Sequence, residues 1–127
     1  MAKSNIAYQY RLYPNAVQRV LFAKTFGCCR KIYNLMLADK IALYKKEGTL
    51  LSVTPAMYKT AYPFLKEVDS LALANEQLHL QAAYQNFFRD KRIGFPKFKS
   101  KKWDTNSYTT NLVNGNISVS ENSITLP

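Results

Sequence analysis

Helical spacing of apolar residues stops at Phe88. The next fourteen residues, RDKRIGFPKFKSKK over 89–102, carry seven cations, one acid, Gly94 and Pro96. A segment of that kind cannot continue a helix and has no period of two to build a buried strand. It therefore divides the chain. The residues before it must supply the helical core. Those after it are rich in Thr, Ser, Val and Ile and must fold differently.

Upstream, residues 6–13 alternate at period two: Ile6, Tyr8, Tyr10 and Leu12 against Ala7, Gln9, Arg11 and Tyr13. Aromatic and β-branched residues in that pattern predict a strand. Pro14-Asn15 ends it, and Asn15 is a good helix N-cap. Val17, Val20 and Leu21 follow helical spacing up to Gly27, which is read as a turn because Gly in a helix interior costs ~1 kcal/mol against Ala. A second helix then runs to about residue 46, with Ile32, Leu35, Met36 and Leu43 on one face. Thr54-Pro55 starts a short helix that Pro63 breaks. Asp69 or Ser70 caps the next helix, 71–90, expected to be the longest. Leu73, Leu80, Tyr84 and Phe87 line one side of it and Leu71, Leu78 and Ala82 another, the pattern of a helix packed inside a bundle. Downstream, 107–112, 116–120 and 123–126 read as short strands, with hairpin turns at Asn114-Gly115 and Glu121-Asn122. A lone N-terminal strand leaves open edges, so it is expected to pair with the C-terminal strands. The predicted class is α+β: a β-unit with helices inserted.

The chain of 127 residues carries 18 Lys+Arg against 8 Asp+Glu, a net charge of +10. Residues 1–38 hold six cations and no acid, 39–88 are balanced, and 103–127 hold two acids and no base. Two basic blocks around a neutral centre point to a polyanionic partner, nucleic acid first. No apolar run approaches the ~20 residues of a membrane span. No secretory h-region is visible at the start. Two adjacent cysteines make no disulfide scaffold, so a cytoplasmic location is expected.

Catalytic signals are sparse. His79 stands alone on a helix. Glu67 and Asp69 suit a helix N-terminus, and Asp90 and Asp104 balance charge. Cys28-Cys29 lacks the spacing of a zinc site and reads as packing. Binding signals are stronger. In 92–103 the cations Lys97, Lys99, Lys101 and Lys102 interleave with Phe95, Phe98 and Trp103, a pattern of phosphate contacts and base-stacking faces. Arg30, Lys31 and Asn34, on the helix after Gly27, form a loose helix-turn-helix arrangement that would face a groove.

These segments resemble a known family. YRLYPN with Gln18, KTFGCCRKIYN, LKEVDSLAL, NFFRDKR, GFPKFKSKK, SYTT and NGNISV…ITLP occur in the order found in TnpB-type (OrfB) proteins, the transposon-encoded RNA-guided nucleases related to compact CRISPR effectors. The resemblance covers nearly the whole chain. It implies a partial oligonucleotide-binding-like β-barrel, the wedge, with an inserted helical recognition domain. The expected division is a wedge strand over 1–13, a recognition domain over 14–88, a basic linker over 89–102 and returning wedge strands over 103–127. It implies structured guide RNA and double-stranded DNA as partners, at the prokaryotic nucleoid, without a membrane. Arg11, Arg30, Arg89 and the Lys97, Lys99, Lys101 and Lys102 group would clamp phosphates, and Tyr108 and Asn114 would lie near bases. The family's RuvC-type acids, with Mg²⁺, and its four-cysteine zinc segment have no counterpart in these residues. The expectation is a fragment that binds without cutting and holds no cofactor. The alternative is a stand-alone helix-turn-helix regulator of a transposon.

Overall fold

The computed structural model describes residues 6–47, 54–102, 106–113 and 115–127. Two helices dominate it: α1 over Ala16–Glu47 and α2 over Ser70–Arg89. Short 3₁₀ turns lie at Pro55–Tyr58, Pro63–Glu67 and Lys91–Ile93. Two-residue strands, β1 (Ser118–Val119) and β2 (Ile124–Thr125), form an antiparallel pair with Ser118 opposite Thr125 and Val119 opposite Ile124.

Helix α1 opens with a reciprocal cap. The Asn15 side chain accepts from the Gln18 N–H and the Gln18 side chain accepts from the Asn15 N–H, both at 2.9 Å. Two of the donors that a helix N-terminus leaves unpaired are satisfied in this way. The helix then runs 32 residues without interruption, about 48 Å at 1.5 Å per residue. The turn expected at Gly27 is not formed: α1 runs straight through it. Gly27 costs about 1 kcal/mol against Ala as a helical residue, and packing along the helix offsets it. Cys28, Cys29, Ile32, Tyr33, Met36 and Leu37 are all buried on one stripe. Ahead of Gly27, Thr25 is buried and Phe22 and Phe26 pack on Tyr108, so a bend there would separate these contacts from that stripe.

Helix α2 begins where its signals place it, with the Asp69 carboxylate accepting from the Leu71 N–H at 3.1 Å. Its buried line is Leu73, Glu76, Leu80 and Tyr84, with Ala72 and Asn75 beside it. The second apolar side is not covered: Leu78 is 58% exposed. Helix α2 therefore packs chiefly against α1, with the 3₁₀ turns beside that contact. Leu65, from the second 3₁₀ turn, is fully buried with Ile32, Met36, Leu37, Leu73 and Leu80. Tyr58, from the first, is buried with its hydroxyl donating to Asp39 Oδ2 at 2.6 Å. Burial raises its pKa first, and the Asp39 carboxylate adds to the rise.

The strand predicted over residues 6–13 is not formed. Residues 6–15 have neither helix nor strand, and Ile6, Tyr8 and Tyr13 stand largely in solvent. An alternating pattern supplies a face to bury but no hydrogen-bonding partner, and the C-terminal strands pair with each other instead. Among the described residues there is no barrel. Residues 107–112 also form no strand; Tyr108, Thr110 and Asn111 dock on the helices instead. Tyr108 packs between Phe22 and Phe26, with centroids 6.2 and 6.0 Å away. The Thr110 hydroxyl donates to Asp69 Oδ2, and Asn75 Nδ2 donates to Asn111 Oδ1 at 2.7 Å. The turn at Glu121-Asn122 does close the β1–β2 hairpin, with the Ser120 N–H donating to the Ser123 carbonyl at 2.8 Å.

Candidate nucleic-acid interface

The basic segment leaves α2 through two local devices. Asp90 ends the helix, its N–H donating to the Asn86 carbonyl at 3.0 Å. Its carboxylate accepts from the Arg92 N–H and binds the Arg92 guanidinium through Nε (3.0 Å) and Nη2 (3.1 Å). These bonds hold the Asp90 carboxyl below the usual carboxylate range and raise Arg92. Gly94 then takes φ 94 and ψ 157, a region that is essentially glycine-only. That turn aims Phe95 back at the helix, where its ring meets Tyr84 and Phe87 edge-on, both at 5.4 Å. Phe95 is thus a packing residue in this structure. Phe98 is 57% exposed.

The middle of the segment is fastened to α1. Asn34 Nδ2 donates to the Lys99 carbonyl oxygen at 2.9 Å, and the Lys99 N–H donates to Asn34 Oδ1 at 2.8 Å. The Lys99 ammonium crosses the Tyr33 ring at 4.4 Å from its centroid and reaches Glu76 Oε2 at 3.4 Å. The Glu76 side chain is only 4% exposed, and its other oxygen lies 3.3 Å from His79 Nδ1. Burial raises the Tyr33 hydroxyl pKa, and the Glu76 charge adds to it.

The residues singled out from sequence are thereby sorted. Lys97, Lys101, Lys102 and Arg89 are exposed. Lys99 is half-buried and faces inward, and Asn34 is committed to the segment's backbone. Lys31 is exposed, with its ammonium 4.8 Å from the Tyr62 ring centroid. Arg30 is half-buried on the same helix. Arg11 lies on the N-terminal arm against Tyr13, 5.8 Å from the ring centroid. Tyr108 is half-buried, and burial pushes its hydroxyl pKa up. Asn114 lies outside the described residues, as does Trp103. Two residues of the arrangement escape a reading of the sequence, Tyr33 and Glu76. A signal for Glu76 exists: an acid on the line 73, 76, 80, 84 sits on the apolar stripe and requires a buried counter-charge.

Among the described residues no group of three or more His, Cys, Asp and Glu side chains gathers. Cys28 and Cys29 are buried and not disulfide-bonded, their sulfurs 4.0 and 3.9 Å from the carbonyl oxygens of Phe64 and Ala72. Burial raises the Cys28 pKa, with Glu67 adding and Lys24 opposing, the reverse of a reactive or metal-binding thiol. No helix among the described residues is long and apolar enough to cross a membrane.

The elements thus define a two-helix unit with a cationic segment fixed across it. A family model described as a helix-turn-helix domain, of the OrfB group, matches residues 1–49. A putative RNA-guided DNA endonuclease of Streptomyces pristinaespiralis is 36% identical over 103 residues, covering 76% of this chain and 25% of that protein. The putative RNA-guided DNA endonuclease InsQ of Escherichia coli (strain K12) is 31% identical over 104 residues, 75% of this chain and 25% of that protein. Virulence protein VsdF of Salmonella dublin is 32% identical over 107 residues, 71% of this chain and 88% of that protein. The chain belongs to the TnpB (OrfB) family. It spans about a quarter of the length of the two endonuclease relatives. Within the matched region of the family model, α1 is a single helix.

Proposed function

We propose that this chain is a nucleic-acid-binding unit of the TnpB type, which grips structured guide RNA and engages duplex DNA without cutting either. The observation that carries the reading is the basic segment: seven cations in fourteen residues, with Lys97, Lys101, Lys102 and Arg89 exposed on a backbone tied to the helical core. Arg11 and Arg30 extend the cationic surface toward the N-terminus, and Lys31 stands beside Arg30. The relatives' names as RNA-guided DNA endonucleases support the choice of partners. In this reading the chemistry of Mg²⁺ and Zn²⁺ belongs to residues other than these, residues 14–88 act as the recognition part, and the protein works in the cytoplasm at the nucleoid. A groove-reading regulator would need Asn34 free and a turn after α1's first part. The Asn34–Lys99 bonds and the unbroken α1 weigh against it.

Fluorescence anisotropy with a labelled RNA hairpin and a labelled DNA duplex tests the proposal. Each phosphate contact on a single strand is worth roughly fivefold between 1 M and ~0.1 M salt, from a slope of ~0.7 per contact. Reversing Lys97, Lys101 and Lys102 together to Glu should weaken RNA binding about a hundredfold at ~0.1 M salt, for every sequence alike. Unchanged affinity would reduce the segment to a solvated connection and overturn the reading.

A further inference from the structure

We infer that Asn34 and Glu76 are positioning residues of this interface, locking the basic segment across α1 and α2 with Lys99 as the internal anchor and not as a phosphate contact. The inference rests on the nucleic-acid reading above and names how its surface is set.

The two Asn34 bonds copy what a neighbouring strand does. In an antiparallel ladder, one residue gives its N–H to its partner and takes the partner's N–H in return. Here one carboxamide performs both halves for Lys99, across 65 positions of sequence. The bonds lie at ordinary hydrogen-bond distance and are partly buried. They fix the segment's register, because moving it by one residue would present a different N–H and carbonyl and would turn the lysine side chain outward.

The side chain supplies the second lock. Glu76 is a carboxylate almost wholly out of water, and a buried charge demands a counter-charge. Two groups reach it. His79 is charged only when protonated, whereas Lys99 brings a full positive charge and rests its ammonium on the Tyr33 face. Removing Lys99 from that position would strand Glu76, so Lys99 is held in place by the core and is not offered to a ligand. With Lys99 turned in, Lys97 and Lys101 are exposed on either side of it. A segment ordered before it meets RNA loses less freedom on binding than a loose one. The gain in affinity then comes without any new contact.

The test uses the intact chain with an RNA hairpin as probe, and compares N34A, E76Q, K99Q, K97Q and K101Q. Amide exchange at Lys99 should be protected in the parent chain and at least about tenfold faster in N34A, which loses its acceptor. Affinity for the hairpin should fall roughly fivefold in N34A and E76Q through lost pre-organisation, with the salt slope kept, because the same phosphates are met once bound. K97Q and K101Q should each make the slope shallower by about 0.7, and K99Q should not. Two results would overturn the inference: parent affinity in a folded N34A, or a slope loss in K99Q equal to that in K97Q. If N34A does not fold, the K99Q slope and the E76Q affinity decide alone. If K97Q and K101Q leave binding untouched, the nucleic-acid reading fails, while the Lys99 exchange rate still judges the lock.

Discussion

Replacing Gly27 by Ala asks whether α1 is one helix or two. Gly27 sits twelve residues into α1, half-buried, and the positive-φ glycines among the described residues are Gly94 and Gly115. A Cβ added at Gly27 would meet Arg30 Nη2 at 3.7 Å, ordinary van der Waals contact with the end of a flexible side chain. The substitution therefore brings no clash, removes backbone freedom from the unfolded chain and gains helix propensity. The expected stabilisation is about 0.5–1 kcal/mol. For a chain of this size that is a rise of roughly 2–6 °C in Tm. Circular dichroism at 222 nm, tracked through thermal and urea unfolding, measures it, and the far-ultraviolet signal should not fall. A turn at Gly27 in a left-handed conformation would reverse the sign, since Ala is strained there. Destabilisation by about 0.5 kcal/mol or more would refute the continuous helix.

Other outcomes rest on the same packing. Leu73→Ala empties a fully buried position facing α1 and should cost about 2–5 kcal/mol in chemical unfolding. Gly94→Ala meets no atom within 4 Å, so its cost is purely that of φ 94, roughly 1–3 kcal/mol. It should also speed amide exchange at Lys99 by loosening the entry to the segment. Tyr33, Tyr58, Tyr84 and Tyr108 all have raised pKa values, each chiefly through burial. Above pH ~10 the unfolded chain loses these protons before the folded one does. Stability is then complete below pH ~10 and falls as pH rises beyond it. Tyr58→Phe should flatten part of that fall, and a stability that is level from about pH 9 to 11.5 would contradict the burial of these phenols.

What the sequence disclosed, it disclosed through local chemistry. Asn15, Asp69 ahead of an apolar run, and Thr54-Pro55 are start signals that act within a few residues, and each helix or turn begins there. Gly27 misled because its penalty is about 1 kcal/mol, which packing on both sides of it outweighs: Thr25 and the Phe22–Phe26–Tyr108 cluster before it, Cys28, Cys29, Ile32 and Tyr33 after it. Residues 6–13 misled because alternation describes a face and is silent on the partner. The basic segment was legible as cationic and extended, and its docking was not. That docking depends on one carboxamide 65 residues away and on an acid whose burial is a product of the fold. Thr110 and Asn111 show the same limit: they lie in a run read as a strand, and their side chains instead hydrogen-bond to Asp69 and Asn75 on the helix.

The salt dependence of RNA binding is the most direct test of the account. With Arg11, Arg30, Arg89, Lys97, Lys101 and Lys102 as the phosphate contacts, log K against log salt should fall with a slope of roughly −4, from ~0.7 per contact over six contacts. Neutralising Lys97, Lys101 and Lys102 to Gln should bring the slope to roughly −2. A nearly flat slope for the parent chain, or the same slope in both proteins, would contradict the claim that this segment is the nucleic-acid interface.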